Sequence, residues 1–390
     1  MIIIGTRPEG IKMAPIIKEL ENYPDQLSSY VCTTAQHRDL LNQVLDVFNI
    51  RPDFNLNLMQ AGQTLSHLTA NLFVHLDQLI SWERPDWVLV QGDTTSVMVV
   101  SLVAYYHRIR IGHVEAGLRT EDKWQPYPEE INRRITDLLA DLYFAPTEDN
   151  RQNLLHEGVP DQAIILTGNT IVDALQMTVR RLRQAEPPSE NGLKPAQRLI
   201  LVTAHRRENF GNPLVQICGA LAKLARHYGS QVKIVYPVHP NPNVQGTVRQ
   251  MLSGIPNIIL TEPLGYEDFV QLMSRAYLIL TDSGGLQEEA PSLGIPVLVL
   301  REVTERLEGV AAGAVRLMST SEGAIVETAV ELMENETAYS RMAQSVNPYG
   351  DGRASQRIVK AICDVSDICL DGGQISKAGD ELLLDSHSSG

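Results

Sequence analysis

Short apolar runs alternate along this chain with longer segments of helical periodicity, from the first residues to about position 365. A strand covered on both faces reads as a continuous apolar run, whereas a helix repeats its apolar positions every three or four residues. The runs in the first half are Ile2–Ile4, Tyr30–Thr33, Trp87–Gln91, Ile109–Val114, Leu142–Ala145 and Ala163–Leu166. Those in the second half are Leu199–Thr203, Lys233–Pro237, Ile258–Leu260, Tyr277–Thr281, Pro296–Leu300 and Ala314–Leu317. Strands separated by helical segments predict βαβ units and hence an α/β fold with parallel sheets. The stretch 184–197, rich in proline and polar residues, predicts a linker. The expected organisation is an N-terminal domain over 1–183 and a C-terminal domain over 198–346, both doubly wound and facing each other across a cleft. A helix at 354–365 is expected to pack back on the first domain, followed by a disordered tail over 366–390.

In open parallel sheets ligands bind beyond the carboxyl ends of the strands. Those positions are unusually polar here: Gly5-Thr-Arg7-Pro-Glu, Gly92-Asp93-Thr, Glu115-Ala-Gly-Leu-Arg119, His205-Arg-Arg-Glu-Asn209, His239-Pro-Asn and Asp282-Ser283-Gly284-Gly285. The last is the most informative. An apolar run delivers a turn of small residues to a helix start, where free N–H groups and the helix dipole favour a phosphate. Gly284 and Gly285 let that backbone approach a ligand closely, and Glu289 lies one turn on, placed for a sugar diol. A diphosphate carrying a ribose would fit this pattern. Gly5 to Lys12 resembles a P-loop only superficially, because the lysine and hydroxyl do not follow the second glycine. Arg7 and Lys12 remain able to meet a phosphate. No G-x-G-x-x-G follows any strand, which leaves a dinucleotide without its fingerprint.

Asp93, Glu115 and Glu129 form a candidate acid set. Carboxylates crowded into a cleft raise one another's pKa, which suits proton transfer near neutrality. Taken singly, Asp93 suits a helix N-cap and Glu129 a first helical turn, so their convergence carries the functional reading. His205 beside two arginines is placed to donate to a phosphate or a leaving oxygen. His239 sits in a proline-rich turn, and Phe269, in a helical pattern, could stack on a base.

The net charge of −14 argues against nucleic acid or an anionic membrane as partner, and requires any polyanion to find a local basic pocket. The four cysteines are scattered without a C-x-x-C, which suits a reducing cytosol and no zinc site. No apolar run approaches the ~18 residues of a membrane span, and Met1-Ile-Ile-Ile-Gly5 is too short for a signal sequence. A cytoplasmic location is expected.

The ordered motifs GTRPEGIKMAP (5–15), QHR (36–38), GDTTS (92–96), HVEAGLRT (113–120), PYPEEINRR (126–134), GNTIVDAL (168–175), TAHRREN (203–209), YPVHPNPNV (236–244), TDSGGLQEEAPSLGIPVLVLR (281–301), TER (304–306) and NPYGDGRAS (347–355) carry a resemblance. Over roughly residues 2 to 365 the chain resembles the non-hydrolysing UDP-N-acetylglucosamine 2-epimerases. The resemblance implies two Rossmann-like domains in a GT-B-like arrangement. It also implies interconversion of UDP-GlcNAc and UDP-ManNAc, by elimination of UDP to 2-acetamidoglucal and re-addition. No NAD or essential metal, a homodimer and a place in cell-surface polysaccharide biosynthesis complete the expectation. The matching catalytic positions are Asp93, Glu115, Glu129 and His205. The matching substrate positions are Arg7, Lys12, Arg133, Leu264, Phe269, Ser283, Gly284, Gly285, Glu289 and Arg306. Gln36, Arg206 and His239 match a second, allosteric UDP-GlcNAc site, but Asp39 and Asn71 stand where the family favours Gln/Glu and Arg. The first strand starts a few residues short of the family pattern, and Leu307 stands where the family has proline. The alternatives are a 2-epimerase of a modified sugar such as a UDP-diacetamido-uronate, a hydrolysing epimerase, a GT-B glycosyltransferase, and a catalytically silent nucleotide-sugar sensor.

Overall fold

The computed structural model describes residues 1–34, 38–58, 62–184 and 197–371. The strands are β1 (Ile2–Ile4), β2 (Val31–Thr33), β3 (Phe54–Asn55), β4 (Trp87–Gln91), β5 (Arg110–Val114), β6 (Leu142–Ala145) and β7 (Ile164–Leu166) in the first half. The second half has β8 (Arg198–Thr203), β9 (Val232–Pro237), β10 (Ile258–Thr261), β11 (Ala276–Thr281), β12 (Val297–Leu300) and β13 (Val315–Met318). Each apolar run of the sequence is a strand, with ends displaced by about one residue, as expected when terminal pairing frays. β3 is the addition. Its two residues, half-buried and exposed, leave no apolar signature.

The sheets run in the orders β3-β2-β1-β4-β5-β6-β7 and β10-β9-β8-β11-β12-β13. Every pairing is parallel. Both follow one winding scheme: the chain steps outward from β1 or β8 and then crosses to the other side at β4 or β11. At such a reversal the connections after neighbouring strands leave in opposite directions and open a crevice. Gly5–Arg7 and Gly92–Asp93 follow the pair β1/β4, and His205 and Asp282–Gly285 follow β8/β11. The polar strand ends therefore stand at the two crevices.

One apolar core cluster runs through both halves, joining Ile4, Met13, Ile16 and Leu175 to Leu201, Met273, Ile279 and Val299. The helix Thr170–Gln184 packs against Arg7–Leu20 on one side and Tyr266–Met273 on the other. Each large aliphatic side chain so buried contributes about 1.5–3 kcal/mol, so this shared seam resists separation of the domains. The last helix, Ala354–Asp371, extends beyond the expected residue 365 and packs on Arg7–Leu20, Thr170–Gln184 and β7. Residues 185–196, most of the expected linker, and 372–390, most of the expected tail, lie outside the described residues. No helix among the described residues is long and apolar enough to cross a membrane.

Candidate active site

The first wall of the cleft begins with the turn after β1. Thr6 caps the helix Arg7–Leu20, and the buried Glu9 closes a capping box through its Oε2, which accepts from Thr6 N at 3.1 Å and Gly5 N at 2.5 Å. One turn on, Lys12 Nζ donates to Glu115 Oε2 at 2.5 Å, and Gln91 Nε2, at the end of β4, donates to the same oxygen. Glu115 adopts φ +67°, a left-handed conformation that costs a non-glycine residue about 1–3 kcal/mol and marks functional sites. Its amide and that of Ala116 both donate to Phe144 O, which holds the turn in place. Burial pushes the Glu115 carboxyl up, but Lys12, Arg306 and Arg133 outweigh it and hold the group below its usual range. Lys12 is the mirror case: burial works against its charge, and Glu115 and Glu288 restore it.

Asp93 leaves β4 through Gly92, whose φ of +81° favours glycine. Arg133 Nη2 donates to Asp93 Oδ2 at 2.5 Å, and Asn132 Nδ2 to its carbonyl at 3.0 Å, so the helix Glu129–Leu139 clamps this acid from the side. The paired acids at that helix start have separate fates. Glu130 is fully buried and occupied by Arg134, Arg133 and the Thr120 amide. Glu129 is half-buried at the cleft and stands without a side-chain partner among the described residues.

The second wall is the turn after β11. Ser283 starts the helix Gly284–Glu289 without a side-chain cap bond. A Cβ on Gly284 would come to 3.0 Å from the Arg306 guanidinium, so any larger residue would press that side chain out of place by a few tenths of an ångström. Arg306 donates to Glu288 Oε1 at 2.9 Å through Nε and to Glu305 Oε1 at 2.5 Å through Nη1. Burial, reinforced by Glu288, pushes Glu289 up to about 8. Asp282, fully buried, accepts from His205 N at 2.7 Å, Arg206 N at 2.8 Å and Asn209 Nδ2 at 2.9 Å. Its other oxygen lies 3.6 Å from His205 Nδ1, close enough for an electrostatic pull but beyond hydrogen-bond distance. Burial lowers the His205 pKa against the pull of Asp282, favouring the neutral imidazole.

The walls meet around a cavity of about 1250 Å³. Lys12, Asp93, Glu115, Glu129 and Arg133 line it from the first domain, and Arg206 and Arg306 from the second. On its wall Lys12, Glu115 and Arg306, with the buried Glu288 paired to Arg306, alternate in sign, two from each domain, as buried charges must to offset their desolvation. Asn169 Nδ2 crosses to Glu288 Oε2 at 2.8 Å, and Thr147 Oγ1 to Glu308 Oε1 at 2.9 Å.

Other predicted positions stand outside this lining. Gly284 abuts Arg306 from behind, with Ser283, Gly285 and Glu289 on the same short turn and helix. Arg7 lines a neighbouring cavity of about 400 Å³ with Gly265 and Tyr266, close to the half-buried Leu264 and Phe269. His205 stacks on the exposed His239 with ring centroids 5.2 Å apart. Gln36 lies outside the described residues, as does the Asp39 side chain; Asn71 is exposed. Leu307, 63% exposed, borders the main cavity. Sequence reasoning did not single out Gln91, Asn169 or Glu288. The one available signal was a polar residue interrupting an apolar element, as Gln91 does at the end of β4.

The family described as UDP-N-acetylglucosamine 2-epimerase matches residues 18–363. A probable UDP-N-acetylglucosamine 2-epimerase of Ralstonia solanacearum is 51% identical over 368 residues, covering 93% of this chain and 98% of the relative. The Escherichia coli K12 UDP-N-acetylglucosamine 2-epimerase is 49% identical, with 93% and 97% covered. Among solved structures, the Neisseria meningitidis UDP-GlcNAc 2-epimerase bound to UDP-GlcNAc is similar at 45% identity and TM-score 0.85, covering 93% of this chain and 99% of that one. The Methanocaldococcus jannaschii enzyme in complex with UDP-GlcNAc and UDP is similar at 36% identity and TM-score 0.74, covering 93% and 98%.

Proposed function

The chain belongs to the UDP-N-acetylglucosamine 2-epimerase family, and we propose that it inverts C2 of UDP-GlcNAc by eliminating UDP and adding it back. The observation that carries this mechanism is the meeting of three carboxylic acids from one domain with arginines of the other around one cavity. The C2 proton of the sugar has no neighbouring carbonyl to acidify it, so direct deprotonation is too slow. Loss of the diphosphate from C1 changes that. A carboxylate takes the C2 proton, the C1–O bond breaks with its electron pair leaving on UDP, and 2-acetamidoglucal remains. Return of a proton to the opposite face of C2, with attack of the UDP oxygen on C1, gives UDP-ManNAc.

The residues divide this work by their surroundings. Lys12 and Arg306 supply positive charge to the departing diphosphate, where fixed charges in a closed site act most strongly. His205 stands ready to donate to the leaving oxygen, with Asp282 holding its backbone amide. Asp93 and Glu115, each held in place by a cation, stand as the reacting carboxylates, and Glu129 faces the same cavity from the start of its helix. Ser283, Gly284 and Gly285 face the nucleotide's phosphates, Glu289 its ribose, and Arg7, Leu264 and Phe269 its base. The reading needs no nicotinamide and no metal, and it places a homodimer in the cytosol; sedimentation of the purified chain tests the dimer.

Incubation with UDP-GlcNAc in D2O, followed by NMR, tests the reaction. Deuterium at C2 and accumulation of UDP-ManNAc are expected. An unlabelled, unchanged sugar overturns the proposal, and free ManNAc with UDP replaces it with a hydrolysing epimerase.

A further inference from the structure

Beneath the acids of the first wall lies a buried group with no part in the proposed chemistry. His113, on β5, is fully enclosed. Its Nδ1 lies 2.6 Å from Asp137 Oδ1, on the helix Glu129–Leu139. Its Nε2 lies 2.8 Å from the carbonyl oxygen of Gly92. Asp137 is itself buried and accepts on its other oxygen from Gly117 N at 3.2 Å and Arg119 Nη2 at 2.7 Å. Burial pushes the Asp137 carboxyl upward, but His113 and Arg119 outweigh it and hold the group below its usual range.

These bonds converge on the chain segments that present the acids. Gly92 immediately precedes Asp93, and its amide is already tied to Val114 O. Gly117 follows Glu115 by two residues, just past the left-handed turn. The helix that carries Asp137 also carries Glu129 at its first position and Arg133, the clamp on Asp93. One imidazole thus links the carriers of all three acids from below.

We propose that His113 is a positioning residue for the proton-transfer wall. Its ring fixes the Gly92 carbonyl and, through Asp137, the segment after Glu115, and so sets where Asp93 and Glu115 stand relative to C2 of the sugar. The geometry matters because misplacing reacting groups by about 1 Å costs on the order of 100-fold in rate. No side chain assigned to the nucleotide bonds His113 or Asp137.

Two near-isosteric substitutions separate the ring's two bonds. In His113→Gln the amide nitrogen takes the place of Nε2 and keeps the bond to Gly92. In His113→Asn it takes the place of Nδ1, keeps Asp137, and leaves the Gly92 carbonyl without its partner. The expected result is a fall in kcat for C2 deuteration of about 100-fold for the asparagine variant and about tenfold for the glutamine variant. The UDP dissociation constant, by calorimetry, stays within about threefold in both. Equal losses in the two variants, a loss confined to KM, or an asparagine variant within about twofold of wild type would overturn the proposal. If neither variant folds, the wild-type enzyme labelled with 15N-histidine decides. A slowly exchanging ring N–H of a buried, hydrogen-bonded histidine is expected, and a spectrum without one refutes the assignment. The inference rests on Asp93 and Glu115 being the reacting carboxylates. If Asp93→Asn retains its kcat, that reading falls by itself, while the ring-nitrogen spectrum still reports on His113.

Discussion

The two walls of the cleft hold their functional groups by different means. On the first domain two of the three acids are fixed by other side chains, Glu115 by Lys12 and Gln91 and Asp93 by Arg133, and both turns by the buried His113–Asp137 pair. On the second domain the decisive feature is backbone: a turn of small residues and a glycine against which Arg306 lies. A proton must be taken from one carbon in one direction, which calls for stiffly held side chains. A diphosphate spreads its charge over several oxygens and is met by N–H groups and cations whose placement tolerates more variation. The comparison therefore predicts a split: damage to the first wall lowers kcat, and damage to the second weakens the hold on UDP.

The largest effect should come from the acids. Asp93→Asn and Glu115→Gln keep shape and remove the proton acceptor, so kcat for C2 deuteration should fall by about 1000-fold. UDP affinity, measured calorimetrically, should change little. An Asp93→Asn enzyme that loses UDP binding in proportion to its rate would erase the division between the walls.

A smaller effect, with the opposite signature, is expected from Gly284→Ala. The new Cβ would lie 3.0 Å from the Arg306 guanidinium, which must then give by a few tenths of an ångström and loosen its contact with Glu288. UDP affinity should drop about tenfold, or about 1.4 kcal/mol, while the rate at saturating substrate falls less. A titration showing unchanged affinity would mean that Arg306 accommodates the methyl group and the turn is not a close-approach site.

The same contrast explains what the sequence could and could not show. The fold was legible because buried parallel strands are apolar on both faces, and β8, β11 and β12 leave unbroken runs. β3 was not, because two residues at a sheet edge need no such pattern. The second wall was legible because a backbone site is contiguous, so that Asp282 to Glu289 sit in one stretch. The first wall was only half legible. Asp93 and Glu115 were visible as strand-end acids, but the partners that set their state come from elsewhere in the chain: Lys12 is 103 positions from Glu115, and Arg133 is 40 from Asp93. Glu129 and Glu130 look alike in sequence, and only packing assigns one to the cleft and the other to an ion-pair network. Glu288 was overlooked beside Glu289 for the same reason, since its role depends on Asn169 of the other domain.

The smallest effect concerns that neighbour. Burial, with Glu288 adding to it, pushes Glu289 up to about 8, so at neutral pH the free enzyme holds it largely protonated. A ribose diol donates two hydrogen bonds, and the ionised carboxylate accepts them better than the acid does. UDP affinity should therefore rise with pH, by about fivefold between pH 7 and 8, and level off above pH 9. Glu289→Gln should abolish that slope and bind at every pH no better than the wild type does near pH 7. Fold stability should move the other way. The folded carboxyl's pKa is raised from the ordinary 4.5, so the protonated group's contribution is complete below about 4.5 and is lost as pH rises through about 8. Calorimetric titrations and urea unfolding over pH 6–9 measure both trends. A wild-type UDP affinity that is flat across that range would detach Glu289 from the ribose, leaving the second wall with backbone and Arg306 alone.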